Sequence, residues 1–223
     1  MTGIFCAVEA EAAPILARLE VSETIEKNSL RFLRGKLRGR EVCFVRGGMG
    51  KVNAAAAVQG MLDLFQPEAL IISGVGGSLC PELRLMDLTL GVKCTHHDLP
   101  MAVIRADYPK MDSDWFYSDE KLARLAREVR PSLMDAVYLT GEAFIDSEGR
   151  ESLVSRFGAE GKIACDMETA AVFQVCRAAK VPACCVRAIS DTEEDCGLDV
   201  FWQNVAKASV LAADAVMDMV ERI

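Results

Sequence analysis

Apolar positions along this chain alternate between two rhythms. Short unbroken runs of strand length are followed by longer stretches in which apolar residues recur at helical spacing. Ile4 to Val8 predicts a first buried strand. A helix carrying Ile15, Leu16 and Leu19 follows, with Pro14 tolerated only in its first turn. Arg31 to Leu37 and Glu41 to Arg46 read as a hairpin around Arg38-Gly39-Arg40. Lys51 to Phe65 is an Ala-rich helix entered through Gly47-Gly48-Met49-Gly50. Ala69 to Ser73 predicts a strand that ends at Gly74-Val75-Gly76-Gly77, and Leu88 to Lys93 predicts another. Thr95 to Asp119 carries two prolines and two histidines and reads as a long functional loop. Helices follow at Glu120 to Val129, Ser147 to Phe157, Thr169 to Ala178 and Asp199 to Val220. Strands interleave with them at Ala136 to Thr140, Ile163 to Cys165 and Ala183 to Ile189.

Such alternation predicts an α/β fold, a largely parallel or mixed twisted sheet covered by helices on both faces. Ligands in such folds bind beyond the carboxyl ends of the strands. Several polar residues occupy that position. Glu9 and Glu11 follow the first strand, and Gly74 to Gly77 follow Ile71-Ile72. Phe144 follows Val137-Tyr138-Leu139, while Asp166, Met167 and Glu168 follow Ile163-Ala164-Cys165. Ser190 and Asp191 end the run Cys184 to Ile189. Carboxylates gathered at one end of a sheet suit acid and base work on a small polar substrate.

Each of these residues also has a simpler reading. Glu9 and Glu11 suit a helix start, where the macrodipole favours acids. Gly76-Gly77 suits a plain turn, and Asp191 a helix cap. Arg187 is harder to place in that way. It sits inside an apolar run, and a buried arginine needs a carboxylate or substrate partner.

Composition narrows the classes. A chain of 223 residues with 51% hydrophobic residues fits one domain spanning residues 1–223 with a sizeable core. A net charge of -8 disfavours a nucleic-acid surface but not an uncharged nucleoside. The nine cysteines contain no CxxC pair, and their odd count fits reduced, buried thiols. In a strand, adjacent Cys184 and Cys185 point to opposite faces. His96 and His97 alone make no zinc site, so no metal and no cofactor is expected. The N-terminus lacks the basic flank of a signal peptide, and no run reaches membrane-span length. A cytoplasmic protein without membrane partners is the expectation.

The ordered set of segments carries a resemblance. It comprises Ala7-Val8-Glu9-Ala10-Glu11, Gly48-Met49-Gly50-Lys51-Val52-Asn53-Ala54-Ala55, Gly74-Val75-Gly76-Gly77 and His97-Asp98. It continues with Gly141-Glu142-Ala143-Phe144-Ile145, Asp166-Met167-Glu168-Thr169-Ala170 and Val186-Arg187-Ala188-Ile189-Ser190-Asp191. Through most of its length the chain resembles the nucleoside phosphorylase/nucleosidase superfamily, nearest the methylthioadenosine/S-adenosylhomocysteine nucleosidases. The resemblance implies a single-domain, three-layer αβα fold and cleavage of a purine from ribose.

It also implies roles. Asp191 protonates purine N7 and Ser190 orients it. Phe144 stacks on the base while backbone groups of Ile145 read its edge. Glu168 binds ribose hydroxyls, Met167 packs on the sugar, and Val75 and Gly76 line the site. Glu11 activates the attacking water, and Arg187 holds that water and Glu168. A carboxylate at Glu11 repels phosphate, which favours hydrolysis over phosphorolysis; Arg46, beside Gly47-Gly48, is the counter-indication, a residue able to contribute to an anion site. Asp191 favours adenine, because a carboxylate accepts from a 6-amino group. Two features depart from the nucleosidase pattern. Val75 stands where that branch carries a serine, and Leu99 to Arg105 replaces an aromatic, Gly-rich segment. Futalosine hydrolases and nucleosidases of other 5'-substituted adenosines therefore stay open beside methylthioadenosine nucleosidases, with a phosphate-dependent purine nucleoside phosphorylase and a nucleoside-binding protein without turnover as the competing classes. A homodimer, with the segment after His97 completing the neighbour's pocket, is implied by the resemblance.

Overall fold

The computed structural model describes residues 1–107, 111, 113–192 and 198–223. Its strands are β1 (Thr2–Cys6), β2 (Glu20–Lys27), β3 (Leu30–Leu37), β4 (Arg40–Arg46), β5 (Ala69–Ser78), β6 (Leu88–His96), β7 (Phe116–Tyr117), β8 (Met134–Thr140), β9 (Ile163–Asp166) and β10 (Ala183–Asp191). Its α-helices are α1 (Glu9–Leu16), α2 (Lys51–Phe65), α3 (Met101–Asp107), α4 (Glu120–Val129), α5 (Ser147–Phe157), α6 (Thr169–Ala179) and α7 (Leu198–Arg222).

The strands form one mixed ten-stranded sheet in the order β10-β6-β8-β9-β5-β1-β4-β3-β2, with β7 beside β6. β1 runs parallel to both β4 and β5, and β10 parallel to β5. Because β10 also pairs with β6, the strands β10, β6, β8, β9 and β5 close into a ring. Period-2 patterning carries no information about such closure. One face packs on α2 and α6 and the other on α1, α4 and α7. Cys185 lies in the first of these cores and Cys184 in the second, as strand alternation requires. Among the described residues no helix is long and apolar enough to cross a membrane.

Several expectations needed correction. Strand β2 was not foreseen; it is an exposed edge strand whose many charges erase the apolar signal. Pro14 sits inside α1 rather than in its first turn. Its missing amide forgoes one interior bond, and the helix ends two residues later, at Leu16. The stretch from Thr95 to Asp119 is not one loop: its start completes β6, and α3 and β7 lie within it. Residues 108–110 and 112 of that stretch, and Cys196, lie outside the described residues.

The largest correction concerns β5. Gly74-Val75-Gly76-Gly77 is no turn; it continues the strand to Ser78, buried throughout. Neighbouring side chains explain the glycines. A Cβ at Gly74 would lie 2.5 Å from a Glu11 oxygen, one at Gly76 2.8 Å from the Tyr138 ring, and one at Gly77 2.6 Å from Asp191 Oδ2.

Candidate active site

A cavity, partly open to solvent, lies at the carboxyl ends of β1, β5, β9 and β10. It is lined by Glu11, Val75, Gly76, Phe144, Ile145, Met167, Glu168, Ser190 and Asp191. Arg187 alone among the sequence-derived site residues does not line it. That side chain is 1% exposed and lies beneath the cavity floor.

Glu11 enters from the first turn of α1. Its Oε2 accepts from the Ala7 and Val8 amides at 2.8 and 3.1 Å, and its Oε1 accepts from the Val75 amide at 2.9 Å. The reach back to Val8, the N-cap residue, is that of a helix-start acid. Glu11 is thus both a capping residue and a cavity carboxylate. Burial raises its pKa, against the lowering effect of Arg187 and the three amides. Glu9 turns outward and pairs with Arg46 at 2.9 Å, with both side chains more than half exposed.

Beneath Glu11, Arg187 gathers three carboxylates. Its Nη2 lies 2.9 Å from Asp166 Oδ2 and 3.3 Å from Glu168 Oε2, and its Nη1 lies 3.8 Å from Glu11 Oε1. Nη1 also donates to the Val75 carbonyl at 2.6 Å, and Nε to Thr169 Oγ1 at 3.2 Å. The Val75 backbone therefore joins Glu11 to Arg187, while its side chain packs among Ala188, Phe201 and Val205. Burial opposes the charge of Arg187, but Asp166, Glu168 and Glu11 together hold its pKa well above the usual arginine range. Three buried carboxylates around one cation also leave excess negative charge. Burial is the largest cause that pushes Glu168 up to about 7; Arg187 pulls it down, and Asp166 and Glu11 push it further up.

Asp166 was legible only as part of the Asp166-Met167-Glu168 segment, yet it is the nearest carboxylate to Arg187. Thr140 Oγ1 donates to its Oδ1 at 2.5 Å, and the amide and hydroxyl of Thr169 donate to its Oδ2.

At the far end of the cavity a register shift between Ile189 and Asp191 re-aims the end of β10. Ser190 Oγ donates to Asp191 Oδ1 at 2.7 Å, and Asn204 of α7 donates to the Ser190 carbonyl at 3.1 Å. Burial raises the Asp191 pKa, against the Ser190 hydrogen bond and the Arg150 charge. Asp191 ends a strand and precedes α7 by too many residues to serve as its cap. The segment 141–145 between β8 and α5 brings Phe144 and Ile145 over this end. Phe144 packs edge-on to Phe201 of α7, with ring centroids 5.6 Å apart. Phe201, Arg150 and Met49 also line the cavity. Met49 belongs to the segment Gly48-Met49-Gly50 that carries the resemblance, whereas Phe201 and Arg150 had no sequence signal, since their places depend on how distant elements dock.

The cavity thus has a carboxylate-rich end, an aromatic and apolar end, and at the latter a carboxyl group whose pKa burial raises. With this mixed sheet, that is the architecture of a nucleoside phosphorylase or nucleosidase. A sequence profile of the phosphorylase superfamily matches residues 2–222, and the chain belongs to that superfamily. Within it, the chain belongs to the 5'-methylthioadenosine/S-adenosylhomocysteine nucleosidase branch. The nucleosidase of Tolumonas auensis is 33% identical over 93% of this chain and 94% of its own length. The structure of the Neisseria meningitidis nucleosidase in complex with methylthio-immucillin-A matches with a TM-score of 0.90 and 25% identity, over 100% of this chain and 99% of the other. The futalosine hydrolase of Helicobacter pylori matches with a TM-score of 0.88 and 28% identity, over 100% of this chain and 97% of the other.

Proposed function

We propose that this chain hydrolyses the N-glycosidic bond of a 5'-substituted adenosine of the methylthioadenosine and S-adenosylhomocysteine class and releases adenine. One observation carries this reading: Glu11 and Asp191, both with raised pKa, lie at opposite ends of one cavity with Glu168 beside Glu11. Asp191 donates its proton to purine N7 as the C1'–N9 bond breaks and the bonding electrons pass to the base. Glu168 binds the ribose hydroxyls, and the carboxylates stabilise the cationic sugar. Water adds to C1' and gives its proton to Glu11. The products are adenine and the 5-substituted ribose. Phe144 and Ile145 hold the base, Met167 packs on the sugar, and Arg187 positions Glu11 and Glu168 from below.

Water rather than phosphate is favoured by how the anion-binding donors are used. At the start of α2 the Gly50 and Lys51 amides donate to Glu168 at 3.0 Å and Glu142 at 2.8 Å. Arg46 is neutralised by Glu9 and does not line the cavity. The test is incubation with methylthioadenosine in phosphate-free buffer. Release of adenine and free methylthioribose is expected; strict phosphate dependence with a sugar 1-phosphate product would overturn the reading. The Helicobacter pylori match keeps futalosine-type substrates as a second reading, separated by a panel of 5'-substituted adenosines and inosines.

The whole chain acts as one catalytic domain in this reading, and as a homodimer. Exposed Met49, Val52, Leu99, Val103 and Phe144 on segments near the cavity support a partner surface. Eight described cysteines with free thiols support a reducing, cytoplasmic location.

A further inference from the structure

Three segments far apart in sequence meet beside the cavity around Lys51 and Asp98. Lys51 is the first residue of α2, Asp98 follows β6, and Glu142 follows β8. Lys51 Nζ donates to both oxygens of Asp98, at 2.7 and 2.8 Å, with the lysine side chain only 13% exposed. Asp98 Oδ2 also accepts from the Glu142 amide at 3.0 Å. Glu142 Oε1 in turn accepts from the Lys51 amide at 2.8 Å. The bonds form a closed loop: Lys51 side chain to Asp98, Asp98 to Glu142, Glu142 back to the Lys51 backbone.

This loop touches both halves of the site without lining the cavity itself. On one side, the adjacent Gly50 amide donates to Glu168 Oε1 at 3.0 Å. On the other, Glu142 begins the segment that carries Phe144 and Ile145 over the base end. Gly50 has φ +93°, and a Cβ there would lie 2.8 Å from Glu142 Oε2, so the junction admits no side chain.

We propose that Lys51 and Asp98 are positioning residues, an ion-pair clamp that fixes Glu168 and the Phe144–Ile145 segment in mutual register. The catalytic consequence rests on the hydrolase reading above. The clamp is bidentate and largely shielded from solvent, unlike an ordinary surface pair. Its loss lets Glu168 and the base-holding segment drift apart, and displacements on the scale of 1 Å cost about 100-fold in rate.

The test compares Lys51→Met, Asp98→Asn and Lys51→Arg with Arg127→Met, which breaks a bidentate pair with Asp135 on the exposed surface. Thermal melting, adenine Kd by calorimetry, and kcat and KM for methylthioadenosine are measured for each. Lys51→Met and Asp98→Asn are expected to weaken adenine binding about tenfold and to lower kcat by about 10- to 100-fold. Lys51→Arg is expected to restore part of both, and Arg127→Met to change neither. A merely structural pair would not move the pH profile, but this one is expected to. Burial dominates the raised pKa of Glu168, Arg187 and the Gly50 amide lower it, and Asp166 and Glu11 raise it. Loosening Gly50 moves the Glu168 limb of kcat/KM to higher pH. Folded Lys51→Met and Asp98→Asn with wild-type adenine Kd, kcat and pH profile would overturn the clamp. If Lys51→Met melts, the isosteric Asp98→Asn decides. If wild-type protein binds adenine but cleaves no nucleoside, the hydrolase reading fails, and the adenine Kd of the variants alone decides the clamp.

Discussion

Arg187 is held more closely by Asp166, at 2.9 Å, than by Glu168 at 3.3 Å or Glu11 at 3.8 Å. The carboxylate nearest the cation is also the one that Thr140 and Thr169 fix in place. Glu11 and Glu168 are left to face the cavity with their orientation set from below.

Arg187→Met is expected to destabilise the fold by about 3–5 kcal/mol, the usual cost of stranding buried charge. Asp166, Glu168 and Glu11 then lack their shared cation, and burial raises the pKa of Glu168 and Glu11, so the loss is expected to grow as pH rises and those two ionise. Denaturant melts across pH check this. A melt unchanged from wild type at alkaline pH would mean that the carboxylates do not depend on Arg187.

Asp191→Asn keeps the acceptor for Ser190 Oγ and nearly the same shape, but cannot give a proton. Turnover is expected to fall by about 100- to 10,000-fold with the melting point kept. Burial raises the Asp191 pKa, so the wild-type rate declines on the alkaline side as that proton is lost. The descending limb is expected to vanish in the variant. Adenine released at the wild-type rate by Asp191→Asn would remove Asp191 as the acid.

Glu168 ties activity to stability. In an unfolded chain a glutamate loses its proton near about 4.3, whereas burial holds it on Glu168 to about 7. Between those values the native state binds the extra proton, so Glu168 makes stability fall as pH rises through the window. Glu168→Gln removes that slope. It is expected to match wild type in melting temperature at about pH 4 and to exceed it at about pH 8, while turnover drops. Equal melting temperatures at both ends would show that Glu168 holds no such proton.

Gly77→Ala places a methyl 2.6 Å from Asp191 Oδ2 and 3.1 Å from Cys165 Sγ. Asp191 must move. Activity is expected to fall by about 10- to 100-fold and stability by roughly 1–3 kcal/mol. Gly158→Ala, whose nearest neighbour would be 3.7 Å away, is the control. An alanine enzyme as fast as wild type would show that the site tolerates a displaced Asp191.

Helix bounds at Lys51–Phe65, Glu120–Val129 and Ser147–Phe157 were legible to the residue, because each is bracketed by glycine, proline or a capping aspartate. The rule that ligand groups follow strands also placed Glu11, Phe144, Glu168 and Asp191 around one cavity. It did not separate Glu9 from Glu11. Both follow β1, but one helix turn points Glu9 to solvent and Glu11 inward. Gly74 to Gly77 misled for a related reason. Locally these glycines signal a turn, while their actual cause is side chains arriving from α1, β8, β9 and β10.

The sequence by itself determined the alternation of strands and helices, the family and the identity of the carboxylates, since these depend on local periodicity and residue chemistry. Tertiary structure alone decided what each carboxylate does. Closure of β10 onto both β5 and β6 put Arg187 beneath the floor among three acids and Asp191 against Gly77. Burial at those contacts sets each proton affinity, and burial is a property of neighbours that a linear pattern does not contain.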